Sequence, residues 1–290
     1  MVAVVRAAFP GWQPHPDVWL IVALAAAGYY ILVQRVGPTV VAPGIRVVER
    51  RHVVSFTIAL VAFWIASDWP THDVAERYLY SVHMVQHMLY ALIVAPLLIR
   101  SAPEWMARYV LERTHTLGFV RRMSRFAPAI LLFNAVFVLV HVPAVVTAAL
   151  DSGWIHLGIH VLLLASSIIV WMPVLSPLPE VPRFSPPVQM AYLFLQSVLP
   201  VIPTAFLSYG THPLYRVYER FPRLWGISAL SDQQMAANIM KTGTGLVLWT
   251  IIAIVFFKWF AAEESPMGPP KVSRSLSREI DRDLLGLHRP

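Results

Sequence analysis

The 290-residue chain contains no cysteine, which excludes a disulfide framework, a thiolate metal site and a redox thiol. Any metal it holds must use histidine, methionine or carboxylate. Charge is also scarce: 13% of residues are charged against 57% hydrophobic, and the mean hydropathy is +0.59. That balance excludes an ordinary soluble domain and identifies an integral membrane protein. No internal repeat is evident, and no linker interrupts the apolar segments. Only Arg6 precedes the first apolar run, and no small-residue cleavage signature follows it, so that run reads as a retained helix and not a signal peptide.

Apolar runs near the roughly 20 residues needed to cross hydrocarbon occupy 18–36, 53–67, 79–99, 127–148, 154–175, 188–209 and 242–260. The expected fold is therefore all-α, a polytopic membrane bundle of about seven transmembrane helices spanning residues 1–264, followed by a cytoplasmic tail at 265–290. Leu276, Ile280, Leu284 and Leu287 lie near helical spacing in that tail; a surface-lying helix and a disordered segment are both open readings. The net charge of +7 and pI near 9.9 come from loops and not from a nucleic-acid footprint. Of the 23 basic residues, 17 fall in the segments after spans one, three, five and seven. The positive-inside rule makes those segments cytoplasmic, with the N-terminus outside and the C-terminus inside.

Against this background five histidines stand inside apolar segments: His83 and His87 in span three, His141 in span four, His156 and His160 in span five. An ionisable group in hydrocarbon is costly, so each is a functional candidate. Both pairs read His-x-x-x-His, and residues four apart on a helix share a face one turn apart, which suits two imidazoles to one ion. Counting about 1.5 Å per residue along three antiparallel helices puts all five in the outer half of the bilayer. On span three His83, Gln86, His87 and Tyr90 form a polar stripe with Met84 and Met88 beside it. Imidazole suits copper, zinc and iron, and thioether suits soft monovalent ions. His72, near Asp68 and Asp73 in the preceding outer segment, is a candidate entry ligand.

Each histidine also has a structural reading. A lone membrane histidine that bonds a backbone carbonyl is ordinary, and His141 taken alone is equally well explained that way. His15, His52, His115, His212 and His288 read as surface groups. Asn134 shares a face with His141 and reads as a partner for another helix. Pro200 and Pro203 in span six predict a kink. The longest outer loop, 210–241, has enough apolar material to cap the bundle's outer mouth.

The run Ser81-Val-His83-Met-Val-Gln86-His87-Met-Leu resembles, together with Ala95-Pro96, His141-Val-Pro143, His156-Leu-Gly-Ile-His160, Trp171-Met-Pro173 and Asp232-Gln233-Gln234 in that order, the multi-span CtaG family of bacterial cytochrome c oxidase assembly factors. The likeness covers roughly residues 68–260. It departs after Gln234, where the family runs through glycines to Ile-Met-Trp and this chain reads Met235-Ala-Ala-Asn238-Ile-Met240-Lys241. The resemblance implies a non-enzymatic factor of the bacterial cytoplasmic membrane that places copper in a haem-copper oxidase, with His83, His87, His141, His156 and His160 as ligands. The partners it implies are an oxidase subunit, membrane lipid and a copper donor that the sequence does not identify.

Three rival readings bear on the same residues. A b-type haem protein would need facing imidazoles, but here the histidines crowd one half of the bilayer. A membrane di-iron oxygenase would need more ligands, with carboxylates or adjacent His-His pairs. A metal transporter would favour paired broken helices in related halves, and one span alone is strongly broken by proline.

Overall fold

The structure is a computed structural model that describes residues 9–264; Arg6 and the proposed tail at 265–290 lie outside the described residues. Those described residues are all-helical. Five helices are long and apolar enough to cross a membrane: α1 (Pro16–Val40), α4 (Tyr80–Ser101), α9 (Gly153–Leu175), α10 (Pro186–Tyr209) and α11 (Ala229–Glu264). Two bent pairs bring the number to as many as seven: α2 (Arg50–Ser67) with α3 (Thr71–Arg77), bent by 41°, and α6 (Leu117–Met123) with α7 (Phe126–Val140), bent by 93°. Short helices α5 (Glu104–Arg113) and α8 (Pro143–Asp151) add to these, and two 3-10 turns, Arg216–Arg220 and Leu224–Gly226, lie in the outer loop.

Large apolar side chains such as Leu24, Ile65, Leu131, Leu246 and Phe257 cover the outside, as hydrocarbon solvent requires. The interior is knitted by buried polar groups whose partners lie on neighbouring helices. The Trp171 indole of α9 donates to the Ala91 carbonyl of α4 at 2.8 Å, and the Tyr192 hydroxyl of α10 donates to the Val170 carbonyl of α9 at 2.8 Å. Asn134 of α7 donates to Gln196 of α10 at 3.0 Å, the helix-to-helix role its position suggested. Without water to compete, each such bond fixes which faces meet.

Proline sets where the helices change shape. Leu32–Val36 in α1 and Leu89–Val94 in α4 are wide π-type turns, and each stands just before a proline, Pro38 and Pro96. A proline ring clashes with the carbonyl four residues back and offers no N–H to it, and widening the preceding turn relieves both problems without breaking the helix. In span four the outcome differs from the expectation of one helix through 148: α7 ends at Val140 and α8 restarts at Pro143. Proline at the first turn of a helix costs nothing but ends what precedes it. In span six the helical pattern is interrupted at Leu199 and Pro200, between Pro186–Val198 and Val201–Tyr209, where a proline kink was expected. Span seven is longer than its apolar run, because the polar turns from Ala229 onward are also helical; the outer loop therefore ends near 228 and not at 241. Tyr215 and Tyr218 in that loop are buried, so it does cover this end of the bundle. Burial pushes the Tyr215 phenol up to about 12.

Candidate metal centre

Helices α3, α4 and α9 each contribute residues four apart to one place in the bundle. His83 and His87 lie in the first turns of α4 with ring centroids 4.3 Å apart. His156 and His160 lie in the first turns of α9, centroids 4.2 Å apart. Across the helices His87 and His160 are 5.1 Å apart, and His83 and His160 are 5.8 Å apart. Ligand atoms of His83, His87 and His160 all fall within 4.8 Å of one another, close enough to share an ion.

A second group of the same compactness stands beside the first: His72, Glu76 and His156. His72 and Glu76 are themselves i,i+4 on α3. The Glu76 carboxylate lies 2.6 Å from Nδ1 of His156 and 3.4 Å from Nε2 of His72. The two groups touch through Nε2 of His156 and Nε2 of His160, 3.0 Å apart. The pair His156 and His160, expected to act on one ion, is thus divided between two neighbouring groups. Glu76 was missed because a single carboxylate in the segment before span three looks like a loop charge, although the spacing His72-x-x-x-Glu76 was the same signal that singled out the histidine pairs.

His141 belongs to neither group. Its Nδ1 is 2.6 Å from the Phe137 carbonyl, and its own carbonyl accepts the Tyr215 hydroxyl at 2.9 Å. It lines, with His87, Met84 and Met88, a cavity of about 80 Å³. Asp73 turns to His15 at 2.9 Å, and Asp68 accepts from the indoles of Trp19 and Trp64 at 2.8 and 2.6 Å, so neither flanking aspartate joins His72 at the site.

Supporting contacts hold the ligands. The Gln86 side-chain amide donates to the Ala66 carbonyl of α2 at 2.8 Å and to the Tyr90 hydroxyl at 3.2 Å, and meets Nδ1 of His72 at 3.3 Å. The Tyr90 hydroxyl also meets Ser67 of α2 at 2.8 Å, and its ring lies 5.1 Å from that of His160. The polar stripe of α4 thereby divides, with Gln86 and Tyr90 bonding α2 while His83 and His87 meet α9. Such outer contacts fix ring orientation in metal sites.

The donor set suits a transition metal. Nδ1 of His83, both ring nitrogens of His87 and Nε2 of His141 are buried with no hydrogen-bond partner in the protein. A buried polar group left unpaired costs about 1–3 kcal/mol, and a bound ion would satisfy several of these lone pairs at once. Neutral imidazoles without thiolate fit copper or zinc.

Asp232, Gln233 and Gln234 do structural work. Asp232 accepts the backbone N–H groups of Tyr80 and Ser81 at 2.7 and 3.0 Å, two of the donors a helix start leaves open. Gln233 accepts from the backbone of Leu214 at 2.8 Å, and Gln234 donates to the Gly210 carbonyl at 3.2 Å. The motif thus pins the start of α4 and the outer loop to α11. Asn238 and Lys241, where the sequence departs from the family pattern, are exposed.

Residues 27–262 match the family described as cytochrome c oxidase caa3 assembly factor (Caa3_CtaG). Neither the curated proteins nor the solved structures gave a match. The matched segment takes in α2 to α10, nearly all of α11 and every residue of both ligand groups, and it begins after His15, the partner of Asp73. The chain belongs to the cytochrome c oxidase caa3 assembly factor family.

Proposed function

We propose that this protein receives copper at its histidine site and passes it to a haem-copper oxidase during assembly, with the oxidase subunit as its partner and copper as its cargo. The observation that supports this most is the compact group of His83, His87 and His160, in which His83 and His87 carry buried nitrogens without protein partners, in a chain of an oxidase assembly family. His156 completes the imidazole set from 3.0 Å away. His141, which shares a cavity with Met84 and Met88, is a reserve donor for a soft ion rather than a member of the first set. Transfer needs ligands that exchange, and neutral imidazoles give up a copper ion more readily than thiolates do. No reacting substrate is called for, so the role is that of a carrier and not an enzyme. The setting is a multi-pass protein of the cytoplasmic membrane, with the site facing its outer side.

The test is a strain lacking this protein, grown at limiting copper and complemented by wild type or by His83→Ala/His87→Ala. Oxidase polypeptides should persist in the deletion strain with depleted active-site copper and low activity. Wild type should restore both and the double variant neither. Added external copper should restore part of the activity by mass action. Full oxidase activity in the deletion strain would defeat the carrier reading, and a Soret band in purified protein would replace it with haem binding.

A further inference from the structure

Among the described residues Glu76 is the carboxylate grouped with the histidines of the site, and the copper reading above makes no use of it. Its oxygen stands 2.6 Å from Nδ1 of His156 and 3.4 Å from Nε2 of His72. His156 is 3% exposed, so its Nδ1 meets the carboxylate away from solvent. A cavity of about 540 Å³ between α1, α2 and α9 is lined by His15, Asp17, His72, Glu76, His156 and His160. It therefore runs past this group and reaches the edge of the other.

We propose that His72, Glu76 and His156 form a second cation site that takes divalent copper from this cavity and stands in series with the site of His83, His87 and His160. The inference rests on the copper reading of the latter. Chemistry separates the two: two imidazoles and a carboxylate offer a divalent ion one compensating negative charge, whereas three imidazoles offer none. Low-dielectric surroundings amplify that difference.

His156 is the joint between them. A neutral imidazole carries one N–H and one lone pair, so His156 can serve one side at a time. When Nδ1 binds an ion beside Glu76, Nε2–H donates to Nε2 of His160, 3.0 Å away, and occupies the lone pair that His160 would give to the inner ion. When Nε2 turns its lone pair inward, Nδ1–H donates to Glu76. An ion in one site thus weakens the other, and moving the proton from one nitrogen of His156 to the other accompanies hand-over. No electron is transferred in this step.

The experiment is Cu(II) titration of the detergent-purified full chain, followed by metal content and by electron paramagnetic resonance, for wild type, Glu76→Gln, His72→Ala and His83→Ala/His87→Ala. Wild type should bind in two steps of unequal affinity, with one spectral component carrying mixed nitrogen and oxygen ligation. Glu76→Gln, nearly isosteric, and His72→Ala should each lose that component and one step while keeping the all-nitrogen component. The double histidine variant should keep the mixed component alone. A wild-type titration in one step, or a Glu76→Gln spectrum identical to wild type, would overturn the second site. Unchanged binding in the double histidine variant would instead defeat the copper reading of the inner one.

Discussion

Asp232 caps the helix that begins at Tyr80, its carboxylate accepting the Tyr80 N–H at 2.7 Å from a position 152 residues later in the chain. Helix α4 has no side-chain cap of its own, so the orientation of the helix bearing His83 and His87 depends on α11. Loss of a cap costs about 0.5–2 kcal/mol, and bonds to a buried charged acceptor are worth about 1.5–3 kcal/mol each. Asp232→Ala should therefore lower the thermal unfolding temperature in detergent clearly, and Asp232→Asn, which keeps one acceptor, should lower it less. Equal unfolding temperatures for all three proteins would show that the cap is dispensable.

Single histidine variants should rank by the groups in which their rings stand. His160→Ala removes a member of the inner group and the contact to His156, and should lose most bound copper. His141→Ala, outside both groups, should retain most of it. Elemental analysis of purified variants decides the matter; equal losses would restore His141 to the first set.

Gly37 sits where α1 meets the segment before α2 and the Trp105 ring of α5. A Cβ there would stand 2.1 Å from Cγ1 of Val47 and 3.2 Å from Cζ2 of Trp105, and Trp105 is itself held by a 2.8 Å bond to the Val47 carbonyl. Overpacking of this kind costs about 1–3 kcal/mol. Gly37→Ala should reduce the yield of folded protein and its unfolding temperature; a variant as stable as wild type would mean that the Val47 loop yields freely.

Charge predicts the orientation. Arg100, Arg108, Arg113, Arg121, Arg122 and Arg125 lie between the third and fourth spans, a cluster that the positive-inside rule keeps in the cytoplasm. A reporter fused at residue 115 should be active only as a cytoplasmic fusion. Activity there of a reporter that works only outside the membrane would invert the bundle and move the histidines to the inner face.

Much of the fold was legible because hydrocarbon imposes a single rule on every span, and the apolar runs obey it. What escaped was set by contacts distant in sequence. The helical turns before Thr242 are polar and carry no membrane signal; they are held by Asp232 and Gln233 reaching other elements. The stop at Val140 was written in Pro143, but a proline near a span end also fits a loop. In the site, the i,i+4 pairs of α4 and α9 were visible, while the division of His156 from His160 depends on where α3 packs. The spacing of His72 and Glu76 puts both on one face of α3, a helix of seven residues, but only the packing of that helix decides that the face meets His156.

The wide turn at Leu89–Val94 also makes the two ends of α4 separately adjustable. A π-type turn holds one residue more than the α-helix around it needs, so face counting carried through it slips by one position, about 100°. Removing one residue within 89–94 should be absorbed locally, leaving His83 and His87 aimed at α9. Removing one between 80 and 86 would swing His87 away from its partners by that same angle. Length variation in this helix is thus tolerable on one side of Met88 and ruinous on the other.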